Sequence, residues 1–375
     1  MTRFLFFVAG LSFLLMMAVP LQAQPPAEEW QTVRFGDETE TPVINQIVVD
    51  GAALWIAAHD GLWRFDGRDA VRWDTDESNH ILSLLIDKED RLWIGTTLGL
   101  IVLDADRDWS KRIEPLPQLR EPIWVIRPAL DGGVWLGSDN GLHYAALPGD
   151  GAASSESTAP IALADEAVQA LARTPSGDLW IGTRDRGLFF LQQAEAGRPQ
   201  ITEIGPEVGA RINALFLGQE GELWAGTEEN GLCMLPGDAS SAICSPPPFD
   251  EIEQPTITGL FPDSSTPGAF WIATPDRLWH YAPPANLIAA DLRPTDVRTI
   301  VEDGEGQLWA GTTSGLLKRR PPAWEPLLAD LDRAKQDVRA ILEDNQGVLW
   351  VSTGGGLLWQ TPGGPWQTVE ALESA

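Results

Sequence analysis

Asp87-Lys88-Glu89-Asp90-Arg91-Leu92-Trp93-Ile94-Gly95-Thr96-Thr97-Leu98-Gly99-Leu100 decides the fold, because the chain repeats it. Asp303 to Leu316 is a second full copy, with Leu308-Trp309-Ala310-Gly311-Thr312 leading to Gly315-Leu316. The tryptophan of the phrase returns in phase at Trp55, Trp93, Trp135, Trp180, Trp224, Trp271, Trp309 and Trp350. A Gly-Leu follows every copy but the sixth, where Pro275 and Arg277 replace the usual turn and predict a hairpin of another shape. Seven repeats separate Trp55 from Trp350, about 42 residues each, which is the period of a four-stranded propeller blade.

Working outward, each copy reads as strands. A short β-prone run such as Val297-Arg298-Thr299-Ile300-Val301 precedes a turn such as Asp303-Gly304-Glu305-Gly306. The tryptophan phrase is the second strand, and Gly-Leu opens a third after a tight hairpin, where glycine tolerates positive φ. A less regular fourth strand follows, as in Ala70-Val71-Arg72-Trp73. One such unit exposes two apolar faces and is unstable until neighbours cover them. Closing the units into a ring covers every face and leaves only short outer edges.

The expectation is therefore an all-β chain forming a single β-propeller over residues 24–375. Eight blades of about 44 residues fit the repeat count, with seven as the alternative. Trp30-Gln31-Thr32-Val33 and Trp366-Gln367-Thr368-Val369 flank the repeats and both read as outer strands, so one should close the last blade while the other is surplus.

The pattern D-x-x-G-x-L-W-I-G-T-x-x-G-L resembles the two-component regulator propeller repeat, although Asp90 stands where the pattern has its turn glycine. The resemblance runs from Val43 to Trp359. It implies the extracytoplasmic sensing part of bacterial signalling proteins, which bind ligands or partners, in some members glycan breakdown products. Family receptors continue into further modules, a membrane span and a kinase or regulator domain. These 375 residues hold none of them, so a stand-alone exported member or part of a longer receptor is expected.

Met1-Thr2-Arg3, the apolar run Phe4 to Val19 and the small residue of Leu21-Gln22-Ala23 have the layout of a cleaved signal peptide over residues 1–23. The run falls short of the ~20 residues of a membrane span, and no cysteine offers a lipid attachment. A periplasmic or secreted, monomeric protein follows as the expectation. Lys and Arg number 26 against 54 Asp and Glu, a net charge of −28, which disfavours nucleic acid and anionic membranes as partners. Cys233 and Cys244 predict a disulfide in an oxidising compartment.

No residue pattern gives a metal or cofactor site. The four histidines, His59, His80, His143 and His280, are scattered, and the Asp-rich turns such as Asp344-Asn345-Gln346-Gly347 read as type I turns. The repeat tryptophans read as core, which leaves Trp63, Trp124, Trp279 and Trp359 less constrained.

Aligning the repeats isolates one mostly polar position early in the innermost strand, near the mouth of the central channel. It holds Asn45, Leu82, Trp124, Gln169, Asn213, Thr258, Arg298 and Arg339. The hairpin after the tryptophan strand supplies a second candidate in Arg184-Asp185-Arg186, beside Glu228-Glu229-Asn230. Arg298 and Arg339, placed on neighbouring blades, are expected to meet an anionic ligand such as an acidic oligosaccharide, or else their own Asp296 and Asp337. Trp124 offers a stacking face for a sugar ring.

A non-catalytic binding protein, working with a separate membrane signalling protein, is the reading these features favour. A lyase-type propeller using His59 or His80 and a protein-docking assembly factor are the alternatives.

Overall fold

The computed structural model describes residues 30–33, 35, 42–73, 80–147, 160–192, 200–237, 241–253, 255–283, 286–290, 296–319, 338–343, 348–353, 356–361 and 367–368. The signal segment, the loop at 149–159 and the Asp344 turn lie outside these residues. The chain divides into two compact units, one of residues 28–321 and one of residues 1–27 with 322–375.

The larger unit is a ring of seven blades. Outer strand β1 (Trp30–Val33) comes first, followed by blade one: β2 (Ile44–Asp50), β3 (Ala53–Ala58), β4 (Gly61–Phe65) and β5 (Ala70–Trp73). Blade two has β6 (Ile81–Ile86), β7 (Leu92–Thr96) and β8 (Gly99–Leu103); blade three has β9 (Ile123–Pro128), β10 (Val134–Ser138) and β11 (Gly141–Ala145). Blade four has β12 (Val168–Arg173), β13 (Leu179–Thr183), β14 (Leu188–Gln192) and β15 (Gln200–Ile204). Blade five has β16 (Ile212–Leu217), β17 (Leu223–Thr227), β18 (Leu232–Leu235) and the short β19 (Ile243–Cys244). Blade six has β20 (Gly259–Pro262), β21 (Phe270–Ala273), β22 (Leu278–Ala282) and β23 (Asn286–Ala290). Blade seven has β24 (Val297–Glu302), β25 (Leu308–Thr312) and β26 (Gly315–Arg319), and β1 returns as its fourth strand, with Thr32 opposite Leu317.

The expected eight blades are thus corrected to seven. Closure occurs one repeat early because β1 already supplies the outer strand of blade seven, and β24 packs beside β2. Two observations fix that seam. A Cβ on Gly311 would meet Cγ2 of Ile44 at 2.5 Å, so only glycine lets blade one approach. Thr299 Oγ1 also lies 3.4 Å from the backbone N–H of Ile47, which donates to it. The eighth repeat forms the second unit's own sheet of β27 (Val338–Glu343), β28 (Leu349–Thr353), β29 (Gly356–Gln360) and β30 (Gln367–Thr368).

The repeat's residues do specific work. Asp87 Oδ1 accepts from the N–H of Glu89 and of Arg91, which sets the turn, and Oδ2 accepts from Trp93 Nε1 at 2.6 Å. Asp303 does the same for Glu305, Gln307 and Trp309. The turn acid therefore satisfies an indole that would otherwise be buried without a partner. The strand-ending Thr96 hydroxyl donates to Gly99 and accepts from the N–H of Leu98, locking the hairpin; Thr312 repeats the device. The seven tryptophans of the ring are buried between blades, as expected of core. Each fully buried Leu or Ile beside them stabilises by roughly 1.5–3 kcal/mol. Cys233 and Cys244 are register partners on β18 and β19 and form a disulfide, their Cα atoms 3.9 Å apart.

Candidate functional site

Every inner strand of the ring except β20 carries a β-bulge at its start. The register skips Asn45 on β2, Leu82 on β6 and Trp124 on β9. It skips Gln169 on β12, Asn213 on β16 and Arg298 on β24 in the same way. These are the residues of the polar repeat position. A bulge leaves its extra residue unpaired and re-aims its side chain, which explains why the position departs from the apolar alternation around it. Arg339 is the bulge residue of β27, in the other unit, and its side chain lies outside the described residues. Within the ring, blade seven adjoins blade one, and Arg298 meets Asn45.

Beside each bulge sits the first residue of the hairpin after the tryptophan strand. Its N–H donates to the carbonyl just before the inner strand, as His59 does to Val43, Arg184 to Ala167 and Glu228 to Arg211. Bulge and turn residues are thereby brought together on one face of the ring.

On one side of that face Asn45 donates to the Ile81 carbonyl at 2.7 Å and its Oδ1 accepts from Arg298 Nη1 at 2.8 Å, joining blades seven, one and two. Arg298 Nε is 3.7 Å from Asp296 Oδ2, an ion pair beyond hydrogen-bond length. The imidazoles of His59 and His80 stack with ring centroids 4.8 Å apart and planes 5° from parallel. Burial, then the neighbouring His80 and Arg298, hold the His59 pKa below the usual imidazole value.

On another side Trp124 Nε1 donates to Asp139 at 2.8 Å, Arg184 pairs with the same carboxylate at 3.3 Å, and its guanidinium lies over the Trp124 ring. The Gln169 amide, turned with its oxygen toward Arg184, accepts from Nε and Nη2 at 2.9 and 3.0 Å. One face of the indole is therefore already covered. Asn213 donates to Glu228 and to the Ile257 carbonyl, both at 3.0 Å, so like Asn45 it staples its blade to the next. Arg186 is drawn to Glu166 and Glu203 and lies over Phe189, which leaves Arg184 alone of the two with the bulge residues.

Sequence reasoning named His59 and His80 as scattered histidines, either of which a lyase-type propeller could use. Their stacking arises because the turn of blade one faces the start of β6, a juxtaposition that no spacing along the chain reveals. The other two histidines each meet a carboxylate. His280, on the third strand of blade six, has its Nε2 2.8 Å from Asp263, which follows the first strand of that blade. His143 is buried with Ser138 Oγ at 3.0 Å and Glu121 Oε1 at 3.4 Å, both on Nε2. Ser138 Oγ also lies 3.2 Å from the Gly141 carbonyl and accepts from the N–H of Asn140, so the trio is built into the hairpin of blade three. Burial, with Asp139 nearby, pushes the Glu121 pKa up. Among the described residues no three His, Cys, Asp or Glu side chains gather as a metal site.

Of the surplus tryptophans, Trp63 is buried and donates to Asp60, Trp279 lies under Arg277, and Trp359 stacks on Trp350. Among these four, Trp124 is the one placed with the bulge residues.

A closed seven-bladed β-propeller with a polar ring of bulge residues is the class this geometry defines. The family model described as two component regulator propeller matches four of the chain's repeat segments, residues 76–97, 162–185, 291–314 and 333–355. No curated protein matches the chain. Among solved structures, the extracellular domain of BT3049, assigned as a hybrid two component system of B. thetaiotaomicron, is similar over 92% of this chain with 17% identity and a TM-score of 0.50. The chain spans 55% of that domain. Virginiamycin B lyase from Staphylococcus aureus, solved with quinupristin, is similar over 78% of this chain and 98% of its own, at 12% identity and a TM-score of 0.58. YCF48 bound to D1 peptide covers 79% of this chain and 99% of its own, at 14% identity and a TM-score of 0.57. At these identities the likeness is one of fold. No helix among the described residues is long and apolar enough to cross a membrane.

Proposed function

We propose that this chain is an exported, non-catalytic propeller that binds an anionic small ligand, such as an acidic oligosaccharide, on the face formed by its bulge residues, and passes occupancy to a separate membrane signalling protein. One observation carries the reading. The same structural irregularity is built into six of seven blades, and each time it turns a side chain out of the sheet beside a hairpin residue. Packing alone is served by apolar residues at such a position, and only Leu82 is one.

Arg298 and Arg184 supply guanidinium groups suited to carboxylates. The match to a regulator propeller family and the likeness to an extracellular domain assigned to a two component system support sensing over turnover. A lyase would need a histidine poised by a carboxylate on the ligand face. The two histidine–carboxylate pairs found are committed elsewhere, one to the hairpin of blade three and one to blade six.

Titration calorimetry with trigalacturonate tests the reading. Saturable binding by the wild-type protein that weakens at least tenfold in Arg298→Gln is the expected outcome. Equal heats from both proteins, or steady consumption of the oligosaccharide, would contradict it.

A further inference from the structure

His59, His80, Arg298 and Asn45 form a group that the reading above does not yet use. Three blades contribute: the turn after β3, the residue before β6, and the bulges of β2 and β24. All three basic side chains are exposed, in a protein of net charge −28. Parallel stacking brings two imidazoles to 4.8 Å, a geometry that becomes repulsive when both carry a proton. Arg298 adds a third positive group, close enough to oppose charging of His59.

Two acids lie near the group and offset it in part: the Asp60 charge favours protonation of His59, and Asp296 pairs with Arg298. Asp60 directs a backbone carbonyl, not its carboxylate, to Arg72, whose guanidinium adds to the positive field; that carboxylate accepts from Trp63. Asp296 sits at 3.7 Å from Arg298. Asn45 presents its oxygen to Arg298 and so orients the guanidinium without neutralising it. Protonation of the stacked pair thus adds positive charge beyond what Asp60 and Asp296 supply against it, which an external anion would meet.

We propose that His59, His80 and Arg298 are a carboxylate-binding site whose affinity rises as the medium acidifies. The inference rests on the reading that the bulge face binds ligand, and it adds the chemical class and the control. A carboxylate bridging the two imidazolium edges and the Arg298 fork relieves their mutual repulsion, so ligand and protons bind together. Near neutral pH Arg298 holds the anion, and as the medium acidifies the imidazoles join it.

Calorimetry on the full chain at pH 7.5 and pH 5.5, with trigalacturonate and with citrate, provides the test. Wild-type affinity is expected to rise at least tenfold at the lower pH for a carboxylate probe. In the His59→Gln/His80→Gln double variant that ratio falls below about twofold. Proton NMR adds an independent readout: the two imidazole resonances missing from the single variants should titrate at higher pH once either probe is bound. Citrate acting as well as trigalacturonate supports recognition of the carboxylate itself, and trigalacturonate acting alone supports a carboxylate read on a sugar. Binding that is the same at both pH values, or a pH dependence that survives in the double variant, overturns this inference while leaving the ligand face standing. Failure of both probes to bind or to move either resonance overturns both.

Discussion

Blade seven and the eighth repeat carry the same outer-strand tetrapeptide, Trp-Gln-Thr-Val, from opposite ends of the chain. In each sheet its Gln-Thr pairs in the same register. Thr32 lies opposite Leu317, and Thr368 opposite Leu358, the leucine at the equivalent place. The two sheets differ in what covers them. Leu316 of blade seven is wholly buried and Phe65 of blade one meets Trp309 edge to face, whereas Leu357, the counterpart of Leu316, is 38% exposed and Leu342 is 65% exposed. An apolar cleft of about 320 Å³ lined by Leu342, Trp350, Ser352 and Leu357 remains in the eighth-repeat sheet. Hairpins and an outer strand are enough to make a blade, and blade seven adds an apolar face packed on blade one.

Removing one outer strand or the other breaks the comparison most severely. Deleting residues 24–35 takes Trp30, Val33 and Phe35 out of the seam and should lower ring stability by more than about 5 kcal/mol in urea, because losing one buried Phe or Trp costs about 3–5. Deleting residues 362–375 should leave the ring's transition in place. Equal loss from the two deletions would mean that the ring depends on both. A single-residue form of the contrast is Leu316→Ala, expected to cost about 2–5 kcal/mol, against Leu357→Ala, expected to cost less than about 1.

Blade five has an outer strand of only two residues. In blade five the Cys233–Cys244 bond holds it. Cys233→Ala/Cys244→Ala should destabilise by about 2–3 kcal/mol in the chain-entropy view. An unchanged urea midpoint would show that packing alone suffices there.

The smallest effect belongs to His59 at the seam. Its folded pKa lies below the unfolded value near 6.5, so the unfolded state binds more protons as pH falls. The stability it contributes is complete above that pH and declines as pH drops through the folded value. His59→Gln should flatten this slope, and an unchanged slope would assign it to other groups.

The period of the tryptophans made the blade, its strand order and its core legible from sequence, because each copy solves the same local packing problem. Blade number was not legible in the same way. It depends on which of two identical tetrapeptides reaches an open edge first in space, and the register that each can adopt is the same. The bulge position could be seen as a polar break in an apolar alternation, and Cys233 and Cys244 as strand partners. What escaped was how Asn45 and Asn213 spend their amides on the next blade, and how His59 comes to lie on His80. Both are contacts between repeats, which a period measured within one repeat does not contain.

The adjacency of blades seven and one underlies both the ring and the cluster around Arg298, and a cross-link tests it directly. Gln31 and Lys318 are register partners across β1 and β26. Gln31→Cys/Lys318→Cys should oxidise to a second disulfide beside the native one, found by peptide mapping, with the folded spectrum and trigalacturonate binding retained. Free thiols at both positions under conditions where Cys233–Cys244 forms would contradict a seven-bladed ring closed by its first strand.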